Sequence, residues 1–237
     1  MDKKRQFMKN LLISGGKLLL AGAILTSFTN RVNAAATLTL YDGVNPLITV
    51  VDNGPGDMFG ATGAILVATN VGVWNLTISS AITKPLFGTA TDPVMDLGIT
   101  ASSSAAGSLR FVFSDSDFGP VASGSTLVAI VDGQVNGAAA TVTYDVYGDP
   151  ANVIGATTVH IASAGTTPLP TTATGSGPLA LPAPFSLTQV DTFTVSGPTT
   201  INSDASFHVV VPEPGVMGLG ALGLAVFALG RSKRKQA

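Results

Sequence analysis

Ala140-Thr141-Val142-Thr143-Tyr144-Asp145-Val146-Tyr147 places apolar and polar side chains in strict alternation. Successive side chains of an extended chain point to opposite faces, so this stretch puts one face on a core and the other in water. A helical repeat of 3.6 would scatter the same residues around a cylinder. The pattern recurs outward in both directions, at Thr37 to Tyr41, Val73 to Ile78, Leu109 to Phe113 and Phe193 to Val195. Phe207 to Val211 is apolar at almost every position and alternates less cleanly. Turn formers separate these runs: Asn53-Gly54-Pro55-Gly56-Asp57, Asp115-Ser116-Asp117, Asp132-Gly133, Gly148-Asp149-Pro150 and Ser196-Gly197-Pro198. The expectation is roughly ten to eleven short strands in an all-β, antiparallel β-sandwich, jelly-roll-like if its Greek keys close. Gly165 to Pro184, with Pro168, Pro170, Pro178, Pro182 and Pro184 and no charge, reads as a long surface loop between two strands.

The ends of the chain have a different character. Lys3, Lys4, Arg5 and Lys9 precede an apolar stretch from Leu18 to Phe28, and Val32-Asn33-Ala34 supplies residues suited to a signal-peptidase cut, with Ala34-Ala35-Ala36 as a close alternative. Residues 1–34 therefore read as a signal peptide. Lys4-Arg5-Gln6-Phe7-Met8-Lys9 resembles a twin-arginine motif with lysine for the first arginine, a departure that favours the general secretory route. At the other end, Val211-Pro212-Glu213-Pro214 leads into Gly215 to Gly230, which carries no charge, and then into Arg231-Ser232-Lys233-Arg234-Lys235. As a helix, residues 215–230 would span about 24 Å, a little short of the hydrocarbon core, and Arg231 and Lys233 would snorkel to its edge. Two prolines around Glu213 keep that motif extended and accessible.

This tail, residues 211–237, resembles the PEP-CTERM sorting signal of exopolysaccharide-producing Gram-negative bacteria, a tail that also carries the label of an ice-binding protein C-terminal domain. Pro212, Glu213, Pro214 and Arg231 carry the resemblance. It implies an exosortase-type membrane processing enzyme as partner and an inner-membrane-anchored precursor. The destination it implies is the cell surface or the extracellular matrix, with exopolysaccharide as a further candidate partner. The intervening domain, residues 35–210, is similar in Gly72 to Leu76, Leu109 to Phe118 and Pro184 to Gln189 to other cargo of that group without an assigned activity.

Charge and composition narrow the function of residues 35–210. Lys84 and Arg110 are the only lysine or arginine there; the acids are all aspartate, at 42, 52, 57, 92, 96, 115, 117, 132, 145, 149, 191 and 204. A domain net charge of about −10 repels phosphate backbones, which excludes nucleic acid as a partner. The chain has no cysteine, hence no disulfide, thiolate metal site or cysteine nucleophile. The two histidines, His160 and His208, lie in strand-like runs, and no Gly-x-Ser-x-Gly elbow frames a serine. The aspartates sit mostly in turn-like contexts, which speaks against a paired-carboxylate hydrolase.

No catalytic residue and no required cofactor is expected. Ca²⁺ is the metal to consider, because Asp52 and Asp57, and Asp115 and Asp117, cluster oxygen ligands on turn-like segments. Asx turns explain both clusters equally well. Trp74 is either a core residue or a sugar-stacking platform. Thr37/Thr39, Thr141/Thr143 and Thr192/Thr194 lack the period of an ice-binding face. The leading expectation is a non-enzymatic exported protein, structural or adhesive in a biofilm matrix. The alternative is a carbohydrate-binding module, calcium-dependent or not.

Overall fold

The computed structural model describes residues 35–45 and 47–212. The leader (1–34), Glu213, Pro214, the apolar stretch 215–230 and Arg231 lie outside the described residues. What is described is all-β. The strands are β1 Thr37–Tyr41, β2 Ile48–Val51, β3 Ala64–Val71, β4 Trp74–Ile82, β5 Val94–Ser103 and β6 Gly107–Phe118, followed by β7 Thr126–Gly137, β8 Ala140–Asp149, β9 Val159–Pro168, β10 Thr171–Pro178, β11 Phe185–Val195 and β12 Thr199–Val210. Among the described residues no helix is long and apolar enough to cross a membrane.

The strands form two six-stranded antiparallel sheets. Sheet A has the order β2-β1-β6-β11-β8-β9 and sheet B the order β10-β7-β12-β5-β4-β3. From β5 onward the chain changes sheet at most connections, so the two inner faces are assembled from distant sequence and meet over one core. Alternation drives this directly. In β5 every second residue is buried, and Met95, Leu97, Ile99 and Ala101 face inward. In β8 the inward set is Val142, Tyr144 and Val146. The rings of Phe111 and Phe193 meet edge to face at 6.0 Å, and those of Phe118 and Phe185 stack at 6.0 Å. Each fully buried phenylalanine contributes roughly 1.5–3 kcal/mol of transfer free energy. Trp74 is 1% exposed, and its indole N–H donates to the Ser108 carbonyl at 3.2 Å. It therefore belongs to the core and not to a surface platform.

Three sequence expectations change. There are twelve strands among the described residues, more than the ten to eleven expected. Residues 165–184 are not one long loop: they complete β9, turn at Leu169-Pro170 and form β10, which pairs along its whole length with β7. The burial of β10 alternates only between half-buried and exposed, so it has no apolar stripe by which to be recognised. Its place is fixed instead by pairing and by close approach to β9. A side chain on Gly175 or Gly177 would collide with the backbone carbonyl of Ser163 or Ile161. Leu169 and Leu179 bury the ends of the strand. Finally, Asp132-Gly133 and Asp115-Ser116-Asp117 are not turns but parts of β7 and β6. Pairing overrides the turn signal at Asp132, Gly133 and Asp115, while Ser116 and Asp117 fall in an irregularity of the β6–β11 ladder where Asp117 takes the left-handed φ of 59°.

Candidate functional site

The four calcium candidates fall at two places. Asp52 and Asp57 flank the turn after β2. One carboxylate oxygen of Asp52 accepts from the Gly63 N–H at 2.8 Å, and the other from the Asn53 amide at 2.9 Å. Asp57 accepts from the Asn53 N–H at 2.9 Å, the Phe59 N–H at 2.9 Å and the Leu66 N–H at 3.0 Å. Both carboxylates are thus enclosed by N–H donors that tie the β2–β3 connection together, and a cation would meet hydrogens there.

Asp115 and Asp117 lie on β6. Asp115 faces Lys84 Nζ at 2.6 Å, and the Asn152 side chain and the Asp117 backbone and carboxylate exchange bonds of 2.8 and 2.7 Å. Among the described residues no three imidazole or carboxylate groups converge as a metal-binding set. His160 Nε2 sits 3.2 Å from Asp145 Oδ1 and its ring lies against Tyr147, on the exposed face of sheet A. Val211 and Pro212 are exposed just beyond β12.

The carboxylates that do gather are ones the sequence hides. On the outer face of sheet B, Asp132 of β7 lies directly opposite Asp204 of β12, and Asp204 lies opposite Gly98 of β5. Asp96 is one step diagonal to Asp204, being opposite Ser206. All three stand mid-strand. Burial raises the Asp96 carboxyl to about 7, helped by its hydrogen bond to Asp204 and the charge of Asp204. Asp132 accepts from Thr172 Oγ1 of β10 at 3.2 Å, which fixes its orientation at one side of the row.

Beside these acids lies a shallow depression of about 390 Å³. Ser80, Thr100, Asp132, Gln134, Asn202 and Asp204 supply its side chains, together with backbone from Gly98, Ile99, Gly133 and Ser203. Gly98 keeps the depression open, since a Cβ there would lie 2.9 Å from Ser80 Oγ. Gly133 is needed on the inner side, where a Cβ would press on Leu169. The side chains that reach it end in carboxylate, carboxamide and hydroxyl groups, with no aromatic ring and no cation among them. Such a surface can exchange paired hydrogen bonds with a polyhydroxylated ligand and repels anions. The signal available in the sequence was Asn202 and Asp204, two apart in Ile201-Asn202-Ser203-Asp204-Ala205 and so on one strand face.

No family model matches this chain, and no curated protein matches it. Several solved structures resemble it distantly. The adhesin domain of Epf from Streptococcus pyogenes is 10% identical with a TM-score of 0.39, covering 76% of this chain and 60% of that one. The CBM22-1 xylan-binding domain of Paenibacillus barcinonensis Xyn10C is 11% identical with a TM-score of 0.32, covering 64% and 88%. TmCBM61 in complex with β-1,4-galactotriose is 8% identical with a TM-score of 0.31, covering 59% and 88%.

Proposed function

We propose that residues 35–210 form a non-enzymatic carbohydrate-binding module that holds a neutral glycan in the depression on sheet B. The observation that carries this reading is the lining itself. Carboxylate, carboxamide and hydroxyl groups from four adjacent strands, β4, β5, β12 and β7, converge on an open concave surface. Asp204, Asn202 and Gln134 offer the acceptors and donors that neighbouring sugar hydroxyls need. The acidic surroundings select against uronic and sulfated polymers. Calcium has no part in this reading, because Asp52, Asp57 and Asp115 are occupied by N–H donors.

The test is calorimetry or array binding of the full chain against neutral oligosaccharides, with Asn202→Ala and Asp204→Asn variants. Saturable binding that falls at least tenfold in either variant, and survives a chelator, supports the reading. Folded wild-type protein that binds no glycan would return the domain to the structural or adhesive role expected from its sequence.

The tail supplies the location in this reading. The domain is exported, anchored by residues 215–230, and processed by an exosortase-type enzyme at Pro212-Glu213-Pro214 before release to the surface or matrix. Support comes from the sequence motif and from the exposure of Val211 and Pro212, which leaves the approach to the motif open. Intact mass from the native host, beside a Glu213→Ala variant, tests it. A full-length tail retained in the membrane in both proteins would refute processing.

A further inference from the structure

Lys84 stands at the start of the β4–β5 connection of sheet B, and Asp115 on β6 of sheet A, so their contact joins the two sheets. Lys84 Nζ lies 2.6 Å from Asp115 Oδ2 and donates also to the Ser116 carbonyl at 2.5 Å. The Phe118 ring covers the amine, with Nζ 4.2 Å from its centroid. The lysine side chain is 17% exposed and the aspartate 3%. Thr83 Oγ1 donates to Oδ2 at 2.9 Å, and the Ser116 N–H donates to the other oxygen, Oδ1, at 2.8 Å. The two carboxyl oxygens therefore have different partners: one is held by a backbone amide, the other by the amine and a hydroxyl.

We infer that Lys84 and Asp115 form an intramolecular amide bond that staples sheet A to sheet B. The reaction is a condensation within the ion pair. Nζ attacks Cγ of Asp115 and the Nζ–Cγ bond forms. The charge developing on Oδ1 is stabilised by the Ser116 N–H, in the manner of an oxyanion hole. The Cγ–Oδ2 bond breaks, and Oδ2 leaves as water carrying two protons from the ammonium group, with Thr83 donating to the departing oxygen. No oxidant or other reactant is required.

Attack demands a neutral amine and a neutral carboxyl, and a poorly solvated pocket disfavours the charged carboxylate. Burial lifts the Asp115 carboxyl above its ordinary value despite the opposing pull of Lys84. Nζ is already held 2.6 Å from Oδ2 of the carboxyl it would attack, so little ordering remains to be done. Lys84 is the sole lysine of residues 35–210, which leaves no competing amine in the domain. A chain without cysteine has no other side-chain staple of this kind.

The experiment is peptide mapping of the purified full-length chain, denatured and digested with pepsin. A branched peptide joining the Lys84 segment to the Asp115 segment, lighter than the two together by one water, is the expected product. Lys84→Arg keeps the positive charge opposite Asp115 but should abolish the branched peptide. Losing the closed loop should also lower its thermal midpoint by something on the order of 10 °C. Recovery of only the two linear peptides from wild-type protein, with Lys84→Arg melting at the wild-type temperature, would overturn the inference and leave an ordinary ion pair.

Discussion

Asp115 and Asp191 occupy equivalent situations on sheet A and are handled differently. Both face the core, Asp115 opposite Leu187 and Asp191 opposite Phe111 and Tyr144. Burial raises both carboxyls. Asp115, at one end of the sandwich, meets Lys84, Thr83 and the Ser116 N–H. Asp191, in the middle, has no hydrogen-bond partner on either oxygen among the described residues, and the Gln189 amide nitrogen next to it on the same face has none either. The difference shows that the sandwich admits a carboxyl to its interior by two routes. One sets a rim amine against the carboxyl; the other leaves it without a partner, its pKa raised by burial. The second route makes stability depend on pH.

The largest expected effect tests that second route. The folded-state pKa of Asp191 lies well above its unfolded value near 4, because burial is reinforced by the charges of Asp145 and Asp204. Its contribution is therefore complete below about pH 4 and declines as pH rises toward the folded value, at up to about 1.4 kcal/mol for each pH unit. Asp96, raised to about 7, acts in the same sense from about pH 4 to about pH 7. Asp42, lowered mainly by the Asn45 backbone N–H, and Asp149, lowered mainly by that of Val153, act oppositely and only below about pH 4. Urea unfolding of wild type should thus show stability falling as pH rises from about 4 through about 7, and Asp191→Asn should flatten much of that slope. Equal slopes in the two proteins would mean that Asp191 is ionised and paired in solution.

The first route is broken from the other side. Asp115→Ala removes the carboxyl to which the inferred amide ties Lys84 and leaves the amine, mostly buried under Phe118, without a partner. A loss of about 3 kcal/mol is expected in chemical denaturation, as for other buried pairs with one partner removed. A loss below about 1 kcal/mol would place Lys84 in solvent and make the contact a surface ion pair.

These contrasts also mark how far the sequence could be read. Alternation located β1 with its observed bounds, most of β8, the middle of β6, the first half of β4 and the end of β11, because in each apolar side chains face the core at every second position. It failed for β10, whose Thr, Ser and Gly residues carry no apolar stripe and whose position is set by contacts with β7 and β9. The aspartates were misjudged for a related reason. Asp96, Asp132, Asp191 and Asp204 sit mid-strand, where the preference of aspartate for turns is overridden by pairing on both sides. Asp132, Asp204 and Asp96 meet only because β7, β12 and β5 are neighbours, and their sequence separations carry no trace of that order. Of the candidate site only Asn202 and Asp204, two apart on one strand, could be read together, whereas the tail motif, being contiguous, was readable at once.

The smallest effect refines the picture of the core around Asp191. Tyr144 is fully buried, and its hydroxyl donates to the Gln189 side-chain carbonyl at 3.2 Å. Burial, followed by the charge of Asp191, raises that hydroxyl well above the ordinary tyrosine range, so it remains a donor at any accessible pH. Tyr144→Phe keeps the ring and its packing while removing the one hydrogen bond that the Gln189 side chain makes among the described residues. The cost should be about 1–2 kcal/mol, that of orphaning a buried acceptor, and should not vary as pH rises above about 4, where the Asp191 contribution declines. In Tyr144→Phe combined with Asp191→Asn, the new carboxamide is placed to take up Gln189, and the combined loss should fall below the sum of the separate ones. Strict additivity would show that Asp191 and the Tyr144–Gln189 pair, though neighbours on one sheet face, are energetically independent.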